Sequence, residues 1–374
     1  MSGNAIDRRG VLAAGLGLLA AAVVPRPAGA AAALLVGARA DASGRFFASG
    51  FDLAGHAAFD LPLPARGHGI ALRPGRREAA LFGRHPGRFV AILDLDAGRI
   101  VRTIANVPDR RFNGHGVFSA DGALLFTTET DHAAERGVVG VYAAERGYAP
   151  VAAYDSGGLD PHDLRLLPDG RTLAIANGGI PTFRDAPRVK PNPADMDSSL
   201  AYLDARDGRL LGALRLPRAL GPLGIRHLAV AGDGAVGFAA QYEGPSVDLV
   251  PLVGSHPAGA PELRLFAGPA EATRAMRNYC GSAAIDRGEL ILGVSSPRGN
   301  LATFWEMASG RMLATAAVAD GCGIAPAEVP GAFVVASGLG GARRVDAATG
   351  AATAVPGGFV AVGRWDNHLL TIGG

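Results

Sequence analysis

Three histidines stand at an even spacing: His68, His115 and His162 are each 47 residues from the next. His227 follows after 65 residues, and Cys280 and Cys322 continue the series. Each sits in a short polar or glycine-bearing motif ahead of an apolar run. The motifs are Arg66-Gly67-His68-Gly69, Asn113-Gly114-His115-Gly116, Asp160-Pro161-His162-Asp163, Arg226-His227, Cys280-Gly281 and Cys322-Gly323. Imidazole and thiolate are ligands for iron, copper or zinc. If the fold brings the marked residues together, the chemistry is that of a transition-metal site.

A second set is cationic. Arg66, Arg84, Arg88, Arg111, Arg184, Arg188 and Arg298, together with Tyr242, fall in segments that read as loops. Guanidinium binds carboxylate and phosphate in a bidentate fork, so this set suits a small anionic ligand or a metal chelate. The other reading is a solvated face whose arginines reflect composition, since Lys190 is the one lysine among 36 basic residues. With 34 acidic residues the net charge is +2, which gives no basic surface for nucleic acid. G-x-S-x-G, G-x-x-x-x-G-K-[ST], H-E-x-x-H and C-x-x-C-H are all absent. Asp121, Asp169, Asp207 and Asp233 precede glycine and read as turn formers, not as catalytic carboxylates.

The elements that must position these residues are strands. Hydrophobic residues make 48% of the chain and charged residues 19%, which excludes general disorder. With 54 glycines and 25 prolines, long helices and coiled coils are excluded too. Each marked residue opens a unit of short apolar strands separated by Pro-Gly or Asp-Gly turns. Seven unit starts are legible, the seventh at Gly357-Gly358-Phe359. Four short strands per unit of roughly 45–50 residues is the pattern of a β-propeller blade. The expectation is therefore an all-β, seven-bladed propeller of the WD40 or YVTN kind, one domain over residues 31–374. Spare strands at Leu34–Ala38, Arg45–Leu53 and His56–Leu63 should pair with the C-terminal strands and close the ring. A pair of β-sandwiches is the rival architecture, and it does not explain aligned units.

In such a propeller the marked residues open the innermost strands, so they should meet at one mouth of the central channel. Propellers with tryptophan-aspartate repeats carry a Gly-His pair at this point, where the histidine is a structural hydrogen-bonding residue, and His115 with Asp121-Gly122 resembles that arrangement. Cys280 and Cys322 hold equivalent positions in adjacent units, which leaves a disulfide and two buried thiols both open. The Pro-rich stretch 181–198 reads as an insert on the third blade, over the arginine-bearing face.

Residues 1–30 read as an export signal. The pair Arg8-Arg9 precedes an apolar run, Gly10 to Val24, and Ala28-Gly29-Ala30 offers a small-residue cleavage site. The pair resembles a twin-arginine signal, with Asp7 where Ser or Thr is usual. The run is too short to span a bilayer, and no later segment is long and apolar enough, so the expectation is a periplasmic protein with no membrane span after signal removal.

Taken together, R-G-H-G at 66–69, G-R-H-P-G-R at 83–88, N-G-H-G-V-F at 113–118, D-P-H-D-L at 160–164, Q-Y-E-G at 241–244, Y-C-G-S-A-A at 279–284 and S-S-P-R-G-N at 295–300 resemble the domain-of-unknown-function family numbered 1513. That resemblance implies an exported propeller, often encoded beside imelysin-like iron-uptake proteins, and hence partners in periplasmic iron acquisition. It implies no catalytic residues. The expected function is a binding or docking propeller linked to iron uptake, more readily than an enzyme. The alternatives are a metal-dependent enzyme, redox or lactonase-like, with a His/Cys site at the channel mouth, and a purely structural interaction platform.

Overall fold

The computed structural model describes residues 33–183 and 193–373. The export signal expected at 1–30 lies outside them, as do Arg184, Arg188 and half of the 181–198 insert. The chain is an all-β propeller. Five of its sheets are separate four-stranded antiparallel sheets, each built from consecutive strands. The first of these runs Gly67–Leu72, Glu78–Gly83, Phe89–Asp94 and Arg99–Ala105. The remaining strands form one eight-stranded sheet, so the expected seven separate blades are not found as such. In that sheet Arg364–Ile372 pairs antiparallel with Leu34–Ala40, joining the two ends of the described chain. Its other neighbour, Gly321–Pro326, meets it through the single parallel pair Ile324 and His368.

Sequence explains the gradient from axis to rim. Inner strands such as Arg110–Phe118 and Leu223–Val230 are buried on both faces and read as near-continuous apolar or small-residue runs. Outer strands such as Arg99–Ala105 and Ala149–Asp155 expose most of their residues. Apolar side chains fill the gaps between neighbouring sheets. Phe126, Val139 and Val141 of one sheet, for example, pack on Leu164, Leu173 and Leu203 of the next. The Asp-Gly turns work as read: Asp169 accepts the N–H groups of Arg171 and Thr172, and Asp121 that of Ala123.

The first strands of successive sheets touch one another in a closed circuit, ending where Arg364–Ile372 meets Gly67–Leu72. This circuit surrounds the central channel. The seventh unit start was placed too early in the sequence reading. Gly358–Val362 is a short helix, and the inner strand begins only at Arg364. Among the described residues no helix is long and apolar enough to cross a membrane.

Closure by the terminal strands is the joint most open to test. Removing residues 31–63 strips the antiparallel partner from Arg364–Ile372 and exposes a sheet edge. Such a variant is expected to lose its cooperative thermal transition and to aggregate on size-exclusion chromatography. A monomer melting at the full-length temperature would show that closure contributes nothing.

Candidate functional site

The inner strands share an irregularity. Pairing register slips between Gly67 and Ile70, between Phe112 and Gly116, between Pro161 and Asp163, and between Ile225 and His227. On the closing strand it slips between Trp365 and Leu369, opposite Gly37 and Arg39. A bulge re-aims the side chain at its site. His68, His115, His162, His227 and His368 each lie in or at the edge of one, and all five rings gather in the channel.

The rings form one layer. Centroids of His68 and His368 are 4.5 Å apart, those of His115 and His368 4.6 Å, and those of His162 and His227 4.9 Å. His115 lies 4.9 Å from His68 and 5.1 Å from His162. Glycine makes the approach feasible. A Cβ on Gly69 would fall 2.8 Å from the His115 ring, and one on Gly114 2.8 Å from the His68 ring. Gly114 also has φ +105°, which side-chain-bearing residues rarely adopt. The G-H-G spelling is thus a packing requirement of the layer.

Partners fix some rings and leave others bare. Asp366, itself buried, accepts from His68 Nδ1 at 2.8 Å and from the Arg66 guanidinium. That carboxylate holds the Nδ1–H tautomer and turns the Nε2 lone pair of His68 to the other rings. His368 Nδ1 lies 3.2 Å from the Ser282 hydroxyl, and its Nε2 is 3.0 Å from His115 Nε2. His115 Nδ1 and both ring nitrogens of His227 are buried without a hydrogen-bond partner. His256, outside the layer, is a contrast: its Nδ1 meets the Tyr202 hydroxyl at 2.6 Å and its Nε2 the Ala260 carbonyl at 2.8 Å.

Loss of solvent is the first cause that holds all five imidazoles below their usual value of 6.5. Arg84 adds to the effect at His68, and for His162 and His368 the neighbouring rings come next. At His115 the Asp163 carboxylate opposes it. The layer is therefore a set of neutral, lone-pair-bearing ligands.

Two donor groups stand out. His68, His115 and His368 offer nitrogens within 4.8 Å of one another, as do His115, Asp163 and His227 with one atom each. Asp163 is already engaged, accepting the backbone N–H of Leu164 and of Leu228, so its main role is to tie two inner strands together.

The layer divides the channel. On one side is a polar cavity of about 490 Å³, lined by His68, His162, His227, Arg66, Arg84, Arg226 and Arg298 among others. On the other is a cavity of about 200 Å³ with His115, His368, Arg165 and mainly apolar neighbours.

The structure thus gathers four of the expected metal residues, His68, His115, His162 and His227, and places the two cysteines elsewhere. Cys280 is buried in an apolar cluster with Leu252 and Val253, and its thiol points to the Leu252 carbonyl. Cys322 lies against Asp320. Both are free thiols raised by burial, and neither belongs to a donor group. Cys280 precedes its inner strand, Ser282–Ile285, which has no bulge; Cys322 does lie at a register slip, between Gly321 and Ile324, but its thiol meets Asp320. Of the expected ligand residues, Arg66, Arg84 and Arg298 line the polar cavity. Arg88, Arg111 and Tyr242 do not: Arg111 donates to the Arg110 carbonyl and Tyr242 to Asp248. Arg184 and Arg188 are outside the described residues. His368 and Arg226 were missed as site residues. His368 was hidden by the misplaced seventh unit, and Arg226 stood beside a marked histidine.

No curated protein matches the chain. Among solved structures the chain is similar to Kuenenia stuttgartiensis hydrazine synthase, with 12% identity and a TM-score of 0.60 over 80% of this chain and 91% of that one. At this identity the likeness concerns the fold alone. The profile described as "Protein of unknown function (DUF1513)" matches residues 61–372, and the chain belongs to that family.

Proposed function

We propose that this protein is a binding propeller that holds a transition-metal ion, iron, copper or zinc, in its histidine layer. The observation that carries the reading is the orphaned nitrogens: three buried imidazole nitrogens, on His115 and His227, with no partner inside a cluster of neutral rings. A buried polar atom left unpaired costs about 1–3 kcal/mol. An ion takes one nitrogen from each ring, so coordination would satisfy part of this deficit, and neutral imidazole suits all three metals. Asp366 and Ser282 would orient His68 and His368 behind the ion.

We read the protein as exported to the periplasm and tied to iron uptake, with periplasmic iron-uptake proteins as partners. Support comes from the Arg8-Arg9 leader and from the genomic neighbours that the family resemblance implies. We also read the eight-stranded sheet as two blades, which gives seven. Between its halves, strand pairing runs through the one parallel pair Ile324 and His368 among the described residues. A metal-dependent enzyme is a second reading, favoured by the open cavity against His68, His162 and His227, where a substrate would reach the ion.

Elemental analysis of protein exported through its own signal tests the metal. Stoichiometric iron, copper or zinc is expected, with loss in His227→Leu at an unchanged fold. If the rings only brace the channel, His227→Leu removes two unpaired nitrogens and leaves stability equal or higher, with no metal in either protein.

The metal-free protein should also carry a pH signature. The folded rings stay neutral while the unfolded rings protonate near 6.5. The unfolded state then binds more protons at low pH, so stability is level above that value and falls below it. The slope is at most about 1.4 kcal/mol per pH unit for each ring. Thermal melts from pH 8 to pH 5 read it, and His227→Leu should make the slope shallower. Melting temperatures level across that range would contradict the neutral layer.

A further inference from the structure

A bare metal cation meets an unfavourable field at the polar mouth of the channel. Arg66, Arg84, Arg226 and Arg298 line the polar cavity. Two carboxylates answer them. Asp160 holds Arg226, and Asp366 is shared between Arg66 and Arg84. Arg298 stacks on Tyr279 at 4.3 Å and, among the described residues, pairs with no carboxylate. Four guanidiniums against two carboxylates leave an excess of two positive charges directly over His68, His162 and His227. The opposite cavity is smaller, and its charged lining residue, Arg165, is paired with Asp163. Like charge around a narrow, low-dielectric opening excludes a free cation and concentrates anions.

We propose that the metal reaches the layer as an anionic chelate, a metal ion carried by a polycarboxylate. The inference rests on the metal reading given above and adds the class of cargo. The arrangement fits both parts of such a complex. His227, with two unpartnered ring nitrogens, and Arg226, whose Nε is unpartnered, are both buried and both line the polar cavity. Imidazole nitrogens replace some of the carboxylate oxygens on the metal, and the displaced carboxylates pass to Arg84 and Arg298. The exchange is one of ligands only, with no change of oxidation state. A complex bearing one or two negative charges offsets half or all of the excess of two positive charges. Arg66 and Arg226, already tied to carboxylates, hold the walls, whereas Arg84 and Arg298 are the hands left for the ligand.

Copper(II) citrate is the probe, with copper(II) alone and citrate alone as the other arms. Equilibrium dialysis with radiolabelled citrate reads the anion, and electron paramagnetic resonance reads nitrogen coordination to copper. The full-length protein is expected to retain copper and citrate together, with nitrogen hyperfine structure on the copper signal. In Arg84→Gln/Arg298→Gln, citrate retention should fall by roughly tenfold or more while the nitrogen signature of copper persists. Both side chains are partly or fully exposed, so the fold should survive. Copper retained with nitrogen coordination but without citrate would overturn the chelate proposal and leave the metal site standing. Citrate retained with no nitrogen signature would overturn the metal reading, and the chelate proposal with it, and leave an anion site. Equal citrate retention in the double variant would overturn the role given to the two arginines.

Discussion

Five imidazole rings can share one buried layer, with centroids as close as 4.5 Å, only if they remain uncharged. Every other feature of the channel serves that condition. Withdrawal from water lowers proton affinity, and guanidiniums on both sides reinforce it. The cost is polar atoms in a place where few donors or acceptors reach them. Asp366 and Ser282 relieve it for two rings from behind, and His115 and His227 keep bare nitrogens. A layer assembled this way is a set of preformed lone pairs, because neither proton release nor large ring rotation is required before coordination.

The backbone devices are those that pack bulky rings around an axis. Inner strands that kept strict pairing would alternate their side chains between the two faces of each sheet and not gather them at the centre. The register slips break that alternation at the histidines. Gly69 and Gly114 then remove the Cβ atoms that would collide with neighbouring rings. Where the slip is missing, as at Ser282–Ile285, no ring enters the layer, and Cys280, two residues ahead of the strand, is a buried thiol in the core.

Much of this was legible in the sequence. Even spacing of His68, His115 and His162, with Asp-Gly turns at fixed offsets, sufficed for the repeat, the strands and the ring. The limits lay where a linear repeat meets a circular object. The eight-stranded sheet sets Arg364–Ile372 against three strands from the other end of the described chain, so no single unit spells it out, and the spacing of the other histidines does not mark His368. Equivalence in sequence also failed to be equivalence in space: Cys280-Gly281 aligns with the histidine motifs, yet it lies ahead of its strand. Arg66, Arg84 and Arg298 of the arginine-rich segments line the cavity that holds the histidines, whereas Arg88 and Arg111 do not. Loop position alone does not say which guanidiniums turn inward, and the buried Arg226 is on a strand.

The closing strand gives the site a place in time. His368 lies on Arg364–Ile372, which is synthesised after every other described strand, and it is held by Leu34–Ala40, the earliest of them. Until those two meet, the layer lacks the ring that approaches both His68 and His115 most closely. A nascent or broken chain therefore never presents the complete constellation. A complete layer certifies that the circle has been closed.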